Sequence, residues 1–143
     1  MSGSRARVLG LFLFLPAIVF GAERPSISAN GQVFTGVDRN IAVEMVRIGP
    51  PSAHEVLIKI VGLDDDEIDG KVLKYGKEPA NGGYNYRKSG YVRITERKST
   101  GGKGVLVEVY SQNKSYKVAY DKKKSEALRT EKLLTDYLEN TPP

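Results

Sequence analysis

The most conspicuous group of chemically capable side chains is an acidic run at residues 64–69 (DDDEID), which is followed by Gly70. Carboxylates at alternate positions before a glycine are typical of the start of a calcium-binding loop, and such a loop needs a bidentate glutamate at its twelfth position. Counted from Asp65, that position is Gly76, and the flanking residues favour strands rather than helices. The pattern therefore predicts a solvated turn between two strands and no metal site.

His54 is the only histidine of the chain, and there is no cysteine. A zinc site ordinarily draws on several histidine or cysteine ligands, so the composition argues against one. A Ser-His-Asp arrangement depends on geometry, and no Gly-x-Ser-x-Gly motif supports it here. We therefore predict a protein that is not an enzyme and has no catalytic residues and no cofactor. A small hydrolase that uses His54 with the carboxylates of the acidic run is the remaining catalytic alternative.

A glycine-rich stretch at residues 101–104 (GGKG) has some likeness to a phosphate-binding loop. The full phosphate-loop motif requires a Ser or Thr directly after its lysine and a helix beyond it. Lys103 is followed instead by Gly104 and then by a strand pattern. A hairpin turn explains the stretch better, so we predict no nucleotide site.

Tyrosines and basic residues alternate between residues 84 and 103, and they form the best candidate for a binding surface. Period two in a strand from Tyr91 places Tyr91, Arg93 and Arg97 on one face and Val92 and Ile94 on the other. Tyr and Arg are the residues that most often anchor protein interfaces. Ordinary sheet composition is the alternative, since Tyr favours half-buried strands. The predicted partner-binding residues are Tyr84, Tyr86, Arg87, Tyr91, Arg93 and Arg97.

The elements that must position these residues are mostly strands. Alternation of apolar and polar residues with period two predicts strands at residues 40–48, 54–63, 71–75, 91–97, 104–110 and 115–120. Residues 84–87 are a possible seventh strand. A helical stripe predicts one helix at residues 122–139, capped by Asp121 or Ser125, with Leu134 and Leu138 packed on the sheet. We therefore expect an α+β fold: a mostly antiparallel β-sandwich or rolled sheet of six or seven strands, with a C-terminal helix packed on it.

The N-terminal segment has the three-part layout of a secretory signal peptide. Arg5 and Arg7 precede an apolar run at residues 8–20, which is shorter than the roughly 20 residues that span a bilayer. Cleavage after Gly21 predicts a mature chain that begins at Ala22; an uncleaved anchor is the alternative. We further predict a flexible polar leader at residues 22–38 and a single β-rich domain at residues 39–143, with a periplasmic or secreted location.

Loss of Arg5 and Arg7 with the signal peptide lowers the net charge from +5 to +3, which is too little for a dedicated nucleic-acid binder. The expected function is therefore non-enzymatic recognition of another macromolecule, most simply another protein, as by an inhibitor, a toxin-immunity protein or an envelope accessory protein. An alternative partner is an anionic envelope polymer or glycan, because Lys122, Lys123 and Lys124 form a basic cluster. No resemblance to a known family supports either reading.

Overall fold

The computed structural model describes residues 24–36, 40–77, 83–86, 92–99 and 102–140. The strands are β1 Gln32–Gly36, β2 Ala42–Ile48, β3 Glu55–Val61, β4 Val72–Lys77, β5 Tyr84–Tyr86, β6 Val92–Ser99, β7 Gly102–Val109 and β8 Lys114–Tyr120. Two helices follow, α1 (Lys122–Ala127) and α2 (Thr130–Asn140). Short 3-10 turns lie at Pro51–Ala53 and Tyr110–Gln112.

The eight strands form a closed antiparallel barrel in which each strand pairs with the next and β8 returns to β1. The antiparallel β-rich character and the C-terminal helix are as predicted, but the sheet closes into a barrel instead of forming a sandwich or rolled sheet of six or seven strands. Two strands make the difference. β1 falls within the predicted leader at residues 22–38, and β5, at the position of the possible seventh strand, has only three residues. Their addition lets the sheet close, which is how a β-sheet disposes of its edges.

The main core fills the barrel interior. Pairing places Phe34 opposite Val43 and Ile94 opposite Val107, and all four side chains are fully buried. Alternate residues along each strand point inward with them, as the period-two pattern of the sequence predicts. Burial of each large apolar side chain contributes roughly 1.5–3 kcal/mol, so this cluster is the chief source of stability.

The C-terminal segment is two helices rather than the single predicted helix at residues 122–139. Asp121 caps α1, as predicted, because its Oδ1 accepts a hydrogen bond from the Lys124 amide at 2.9 Å. The helix then ends at Leu128, which has extended backbone angles (φ −66°, ψ 130°). The Leu128 side chain packs against a second apolar cluster on the outside of the barrel, and α2 starts afresh at Thr130.

Helix α2 covers the outer face of the strands from β2 to β4. Leu133 and Leu134 are buried there, and Tyr137 packs at the margin of the cluster. Their partners on the sheet are Val46, Ile48, Leu57 and Val72. The prediction for Leu134 is confirmed, whereas that for Leu138 is wrong because this side chain is 38% exposed. Leu133, which the predicted stripe did not include, is buried beside Leu134.

The segment that precedes β1 runs alongside the end of β2. Ile27 forms an antiparallel bridge with Ile48, and the Gly49 amide donates to the Ser26 carbonyl at 2.9 Å. The segment at residues 22–38 that the polar composition marks as a leader thus contains both this contact and β1. The predicted signal peptide at residues 1–21 lies outside the described residues. In the part of the chain that is described, no helix has the length and apolar character needed to span a membrane.

A candidate ligand-binding cavity at the open end of the barrel

The two ends of the barrel differ. At one end, the connection between β3 and β4 folds inward, and its Leu63 and Ile68 side chains are buried in the main core. At the other end, where β2 finishes and β3 begins, a cavity of about 540 Å³ opens to solvent. We call this second end the mouth. Its cavity lies within the range of roughly 300–1,000 Å³ that is usual for ligand pockets.

Six strands contribute to the wall of the mouth cavity, which therefore spans the open end of the barrel. Val46 and Glu55 reach it from the outward side of their strands. Met45 and Val56 are buried residues of the main core, so they form the apolar floor. The lining residues on the strands are Gln32, Met45, Val46, Arg47, Glu55, Val56, Tyr84, Glu96 and Tyr120. The flanking loops add Ser28, Asn30, Gly31, Pro51 and His54. The cavity therefore combines an apolar floor with a polar and charged rim.

The Tyr84 phenol lies near two opposite charges in this cavity, the Glu96 carboxylate and the Arg47 guanidinium. Burial raises the pKa of its phenol above the ordinary value, the nearby Glu96 carboxylate raises it further, and the Arg47 guanidinium lowers it. All three side chains line the cavity. A half-buried phenol beside one anion and one cation can donate or accept a hydrogen bond, so this group of side chains suits a polar ligand.

Tyr120 is the second aromatic of the wall. Its ring lies edge-on to the buried Phe34 ring, with 5.8 Å between centroids, which fixes it against the core. On its other side, the Lys103 Nζ atom lies 4.7 Å from the Tyr120 ring centroid. A cation at this distance from an aromatic face is attracted by the ring. Lys103 is thus held at the rim of the mouth.

His54 lies on the rim at the point where the Pro51–Ala53 turn passes into β3. It adopts a left-handed backbone conformation (φ 52°), and its amide donates to the Pro51 carbonyl at 3.2 Å. The turn geometry accounts for this conformation, which histidine tolerates better than most residues. Its imidazole is exposed and adds one more polar group to the cavity wall.

The pairing register divides the predicted tyrosine and arginine surface between the two faces of the sheet. Tyr84 lies opposite Ile94 and Tyr86 opposite Val92, so both tyrosines are on the inward face and pack partly on the core. Arg93 and Arg97 alternate with the inward residues of β6 and lie on the outer face. Arg87 and Tyr91 lie outside the described residues.

Of the predicted binding residues that the structure describes, only Tyr84 lines the mouth cavity. Arg47, Glu96 and Tyr120 were not predicted, although β2 and β6 carry a signal. In β2, Val43 and Met45 are followed at the same spacing by Arg47, and in β6 Ile94 is followed by Glu96. A charge that continues the inward apolar series of a strand marks the point where the interior meets solvent.

The acidic run folds as a turn, as predicted. The Asp69 Oδ1 atom accepts hydrogen bonds from the Gly62 and Leu63 amides at 2.7 and 3.0 Å, and the Asp65 Oδ1 atom accepts one from the Glu67 amide at 3.0 Å. Among the residues described, no group of three His, Cys, Asp or Glu side chains has the arrangement of a metal site. The glycine-rich stretch lies at the β6–β7 hairpin, where Ser99 pairs with Gly102.

No protein family, curated protein or solved structure that was compared with this chain matches it. Its function is therefore argued from the mouth itself.

Proposed function

We propose that this protein is an exported, periplasmic, non-enzymatic binding protein that recognises a short segment of another protein in the mouth of its barrel. The observation that carries this proposal is the cavity of about 540 Å³ at one end of a barrel whose other end is filled by Leu63 and Ile68. Closed barrels with side-chain-filled interiors commonly place ligand sites at their mouths.

The chemistry of the wall suits recognition. Tyr84, Tyr120 and Arg47 are of the types that dominate the energetics of protein interfaces, because they combine large contact areas with directed hydrogen bonds. The apolar floor formed by Met45 and Val56 offers surface that a partner side chain can bury. The volume accommodates a few residues of a partner and not a folded domain, so the partner contributes a loop or a chain end.

Export is part of this proposal and rests on the sequence. The basic residues before an apolar run at residues 8–20, with small residues at its end, have the form of a cleavable signal. A small barrel without cysteine forms no disulfide and depends on packing alone for its stability outside the cytoplasm.

The test is capture of a partner from periplasmic extract by the immobilised protein, followed by mass spectrometry. We expect the wild-type chain to retain a partner that Arg47→Ala and Tyr84→Ala release. The matched controls are Arg129→Ala, in the link between α1 and α2, and Tyr110→Ala beyond β7; both residues are exposed and outside the cavity lining. These controls should retain the partner as the wild type does.

An Arg97→Ala variant separates the mouth from the outer face of β6. If Arg97→Ala releases the partner while Arg47→Ala and Tyr84→Ala retain it, the binding surface is the outer face and the mouth is not the site. If all of these variants retain the same partners as the wild type, recognition through the mouth is disproved.

A further inference from the structure

Two lysines face each other at the mouth. Lys98 of β6 pairs directly with Lys103 of β7, two residues beyond the pair formed by Glu96 and Val105. Val105 is buried in the barrel core, so the period of two places both lysines on the inward side of the sheet, at the rim. Like charges directly opposite each other on a sheet are destabilising. The folded barrel therefore holds two positive charges side by side, with Glu96 as the nearest acidic residue along the same face of β6.

No residue in the described part of the chain forms an ion pair with Lys98 or Lys103. Lys103 is kept in place by the Tyr120 ring, and Tyr120 lines the cavity. Arg47, across the mouth, also lacks an ion pair with any described residue. The side chains of all three cations are exposed. The rim thus presents a cluster of positive charges to whatever enters.

We propose that the mouth receives an acidic segment of the partner protein, whose carboxylates are held by Lys98, Lys103 and Arg47. This inference rests on the proposed function and specifies the chemistry of the partner. The aromatic rings of Tyr84 and Tyr120 pack against the aliphatic parts of the same segment. Charge complementarity of this kind speeds encounter and fixes the orientation of the bound segment.

Glu96 favours a peptide over a polyphosphate or another densely charged polymer. Its carboxylate lines the same cavity, where it repels closely spaced anions. A peptide carries its carboxylates farther apart than a polyphosphate carries its charges. It also has backbone N–H groups, from which Glu96 can accept hydrogen bonds. The other carboxylate of the lining, Glu55, forms an ion pair with Lys74 at 3.6 Å. Glu96 is therefore the acceptor that faces the three cations, and this arrangement matches an acidic polypeptide better than a polyanion without donors.

The test uses a fluorescent hexaglutamate peptide with an amidated C-terminus, and its binding is followed by fluorescence anisotropy. We expect the wild-type chain to bind the peptide, and the affinity to fall steeply between about 20 and about 200 mM salt. A Lys98→Gln/Lys103→Gln variant should bind about tenfold more weakly, since it loses two charge-assisted contacts. The control is Lys117→Gln/Lys123→Gln, which removes the same charge from the outer face of β8 and from α1.

The proposal is overturned if the peptide does not bind, if the control weakens binding as much as the rim variant, or if inorganic polyphosphate binds more tightly through the same two lysines. The partner-capture experiment then separates the two proposals. If the rim variant retains a partner that Arg47→Ala and Tyr84→Ala release, the proposed function stands and the acidic segment does not. If hexaglutamate binds through the lysines while Arg47→Ala and Tyr84→Ala capture the same partners as the wild type, the site for acidic segments stands and the proposed function does not.

Discussion

The hydroxyl of Ser125 accepts a hydrogen bond from the Val33 amide at 2.7 Å, across the seam where the barrel closes. The β1–β8 pairing ends with Phe34 opposite Tyr120. The backbone of Val33, the residue before Phe34, must therefore find its hydrogen-bond partners outside β8. The Asp121 amide donates to the Val33 carbonyl at 2.8 Å, and the Ser125 hydroxyl donates to the Asp121 carbonyl at 2.7 Å. The first turn of α1 thus continues the ladder and fastens β8 to β1.

We expect Ser125→Ala to destabilise the protein by about 1–3 kcal/mol, because the buried Val33 amide is left without an acceptor. Ser115→Ala is the matched control, since Ser115 lies exposed on β8, and it should change stability by less than about 0.5 kcal/mol. Urea denaturation of both variants measures the difference. Equal effects would show that the Ser125 bridge does not hold the seam.

A second prediction concerns the packing of α2. Leu134 is fully buried against the outer cluster, whereas Leu138, one turn later, is 38% exposed. We expect Leu134→Ala to lower the free energy of unfolding by about 2–5 kcal/mol, the usual range for truncation of a buried leucine. Leu138→Ala should lower it by less than about 1 kcal/mol. Comparable losses in denaturant melts would contradict the helix orientation described above.

The fold was predictable from sequence where strands are long and their apolar residues recur at every second position. In β7, for example, Val105, Val107 and Val109 repeat every second residue, and all three are buried. β5 is too short to show a period, and β1 has only Val33 and Phe34 as adjacent large apolar residues. Closure depends on these two weak strands, so the barrel could not be told from an open sheet by pattern alone.

The mouth was predictable only in part, because the inside of a barrel is created by closure. Tyr84 was singled out for its residue type, but its neighbours in the site come from distant strands. Arg47 and Glu96 are 49 residues apart in sequence and meet around Tyr84 only through the order of the strands. The break between α1 and α2 could not be predicted from sequence either, since neither Leu128 nor Arg129 is a helix-breaking residue type.

A third prediction concerns the acidic turn between β3 and β4. Because the Asp69 carboxylate accepts two backbone hydrogen bonds, Asp69→Ala should destabilise the protein by about 1–3 kcal/mol. Asp66→Ala, which removes an exposed carboxylate from the same turn, should have an effect below about 0.5 kcal/mol. Saturating calcium should leave the melting temperature of the wild type unchanged. A rise of more than a few degrees would show that the turn binds the ion.

A fourth prediction concerns processing. If the segment at residues 1–21 is a signal peptide, the exported chain begins at Ala22, since a cut after Gly21 leaves small or medium side chains at the recognition positions. Intact-mass measurement of the periplasmic protein tests this directly. Replacement of Gly21 by Phe should leave the precursor uncleaved. Recovery of the full-length wild-type chain in the membrane fraction would contradict the prediction.

The last prediction concerns Tyr75, which is fully buried in the barrel core and whose hydroxyl has no hydrogen-bond partner among the described residues. Its ring lies 5.3 Å from that of Tyr86, measured between centroids, so the ring contributes to packing while the hydroxyl contributes nothing. We expect Tyr75→Phe to stabilise the protein by about 1 kcal/mol at neutral pH, because it removes an unsatisfied polar group and keeps the ring. Tyr110→Phe, a matched control at a 46% exposed position, should change stability by less than about 0.5 kcal/mol.

The same residue predicts a dependence on alkaline pH. Burial, and secondarily the charge of Tyr86, raise the pKa of Tyr75 above its ordinary value. The unfolded chain therefore loses this proton at a lower pH than the folded chain does. The free energy of unfolding is unaffected by this group below about pH 10 and declines as the pH rises further. One such group lowers the free energy of unfolding by about 1.4 kcal/mol per pH unit. Urea melts from pH 9 to about pH 11.5 should show a shallower decline for Tyr75→Phe than for the wild type. Parallel declines would mean that the Tyr75 hydroxyl meets solvent in the folded protein.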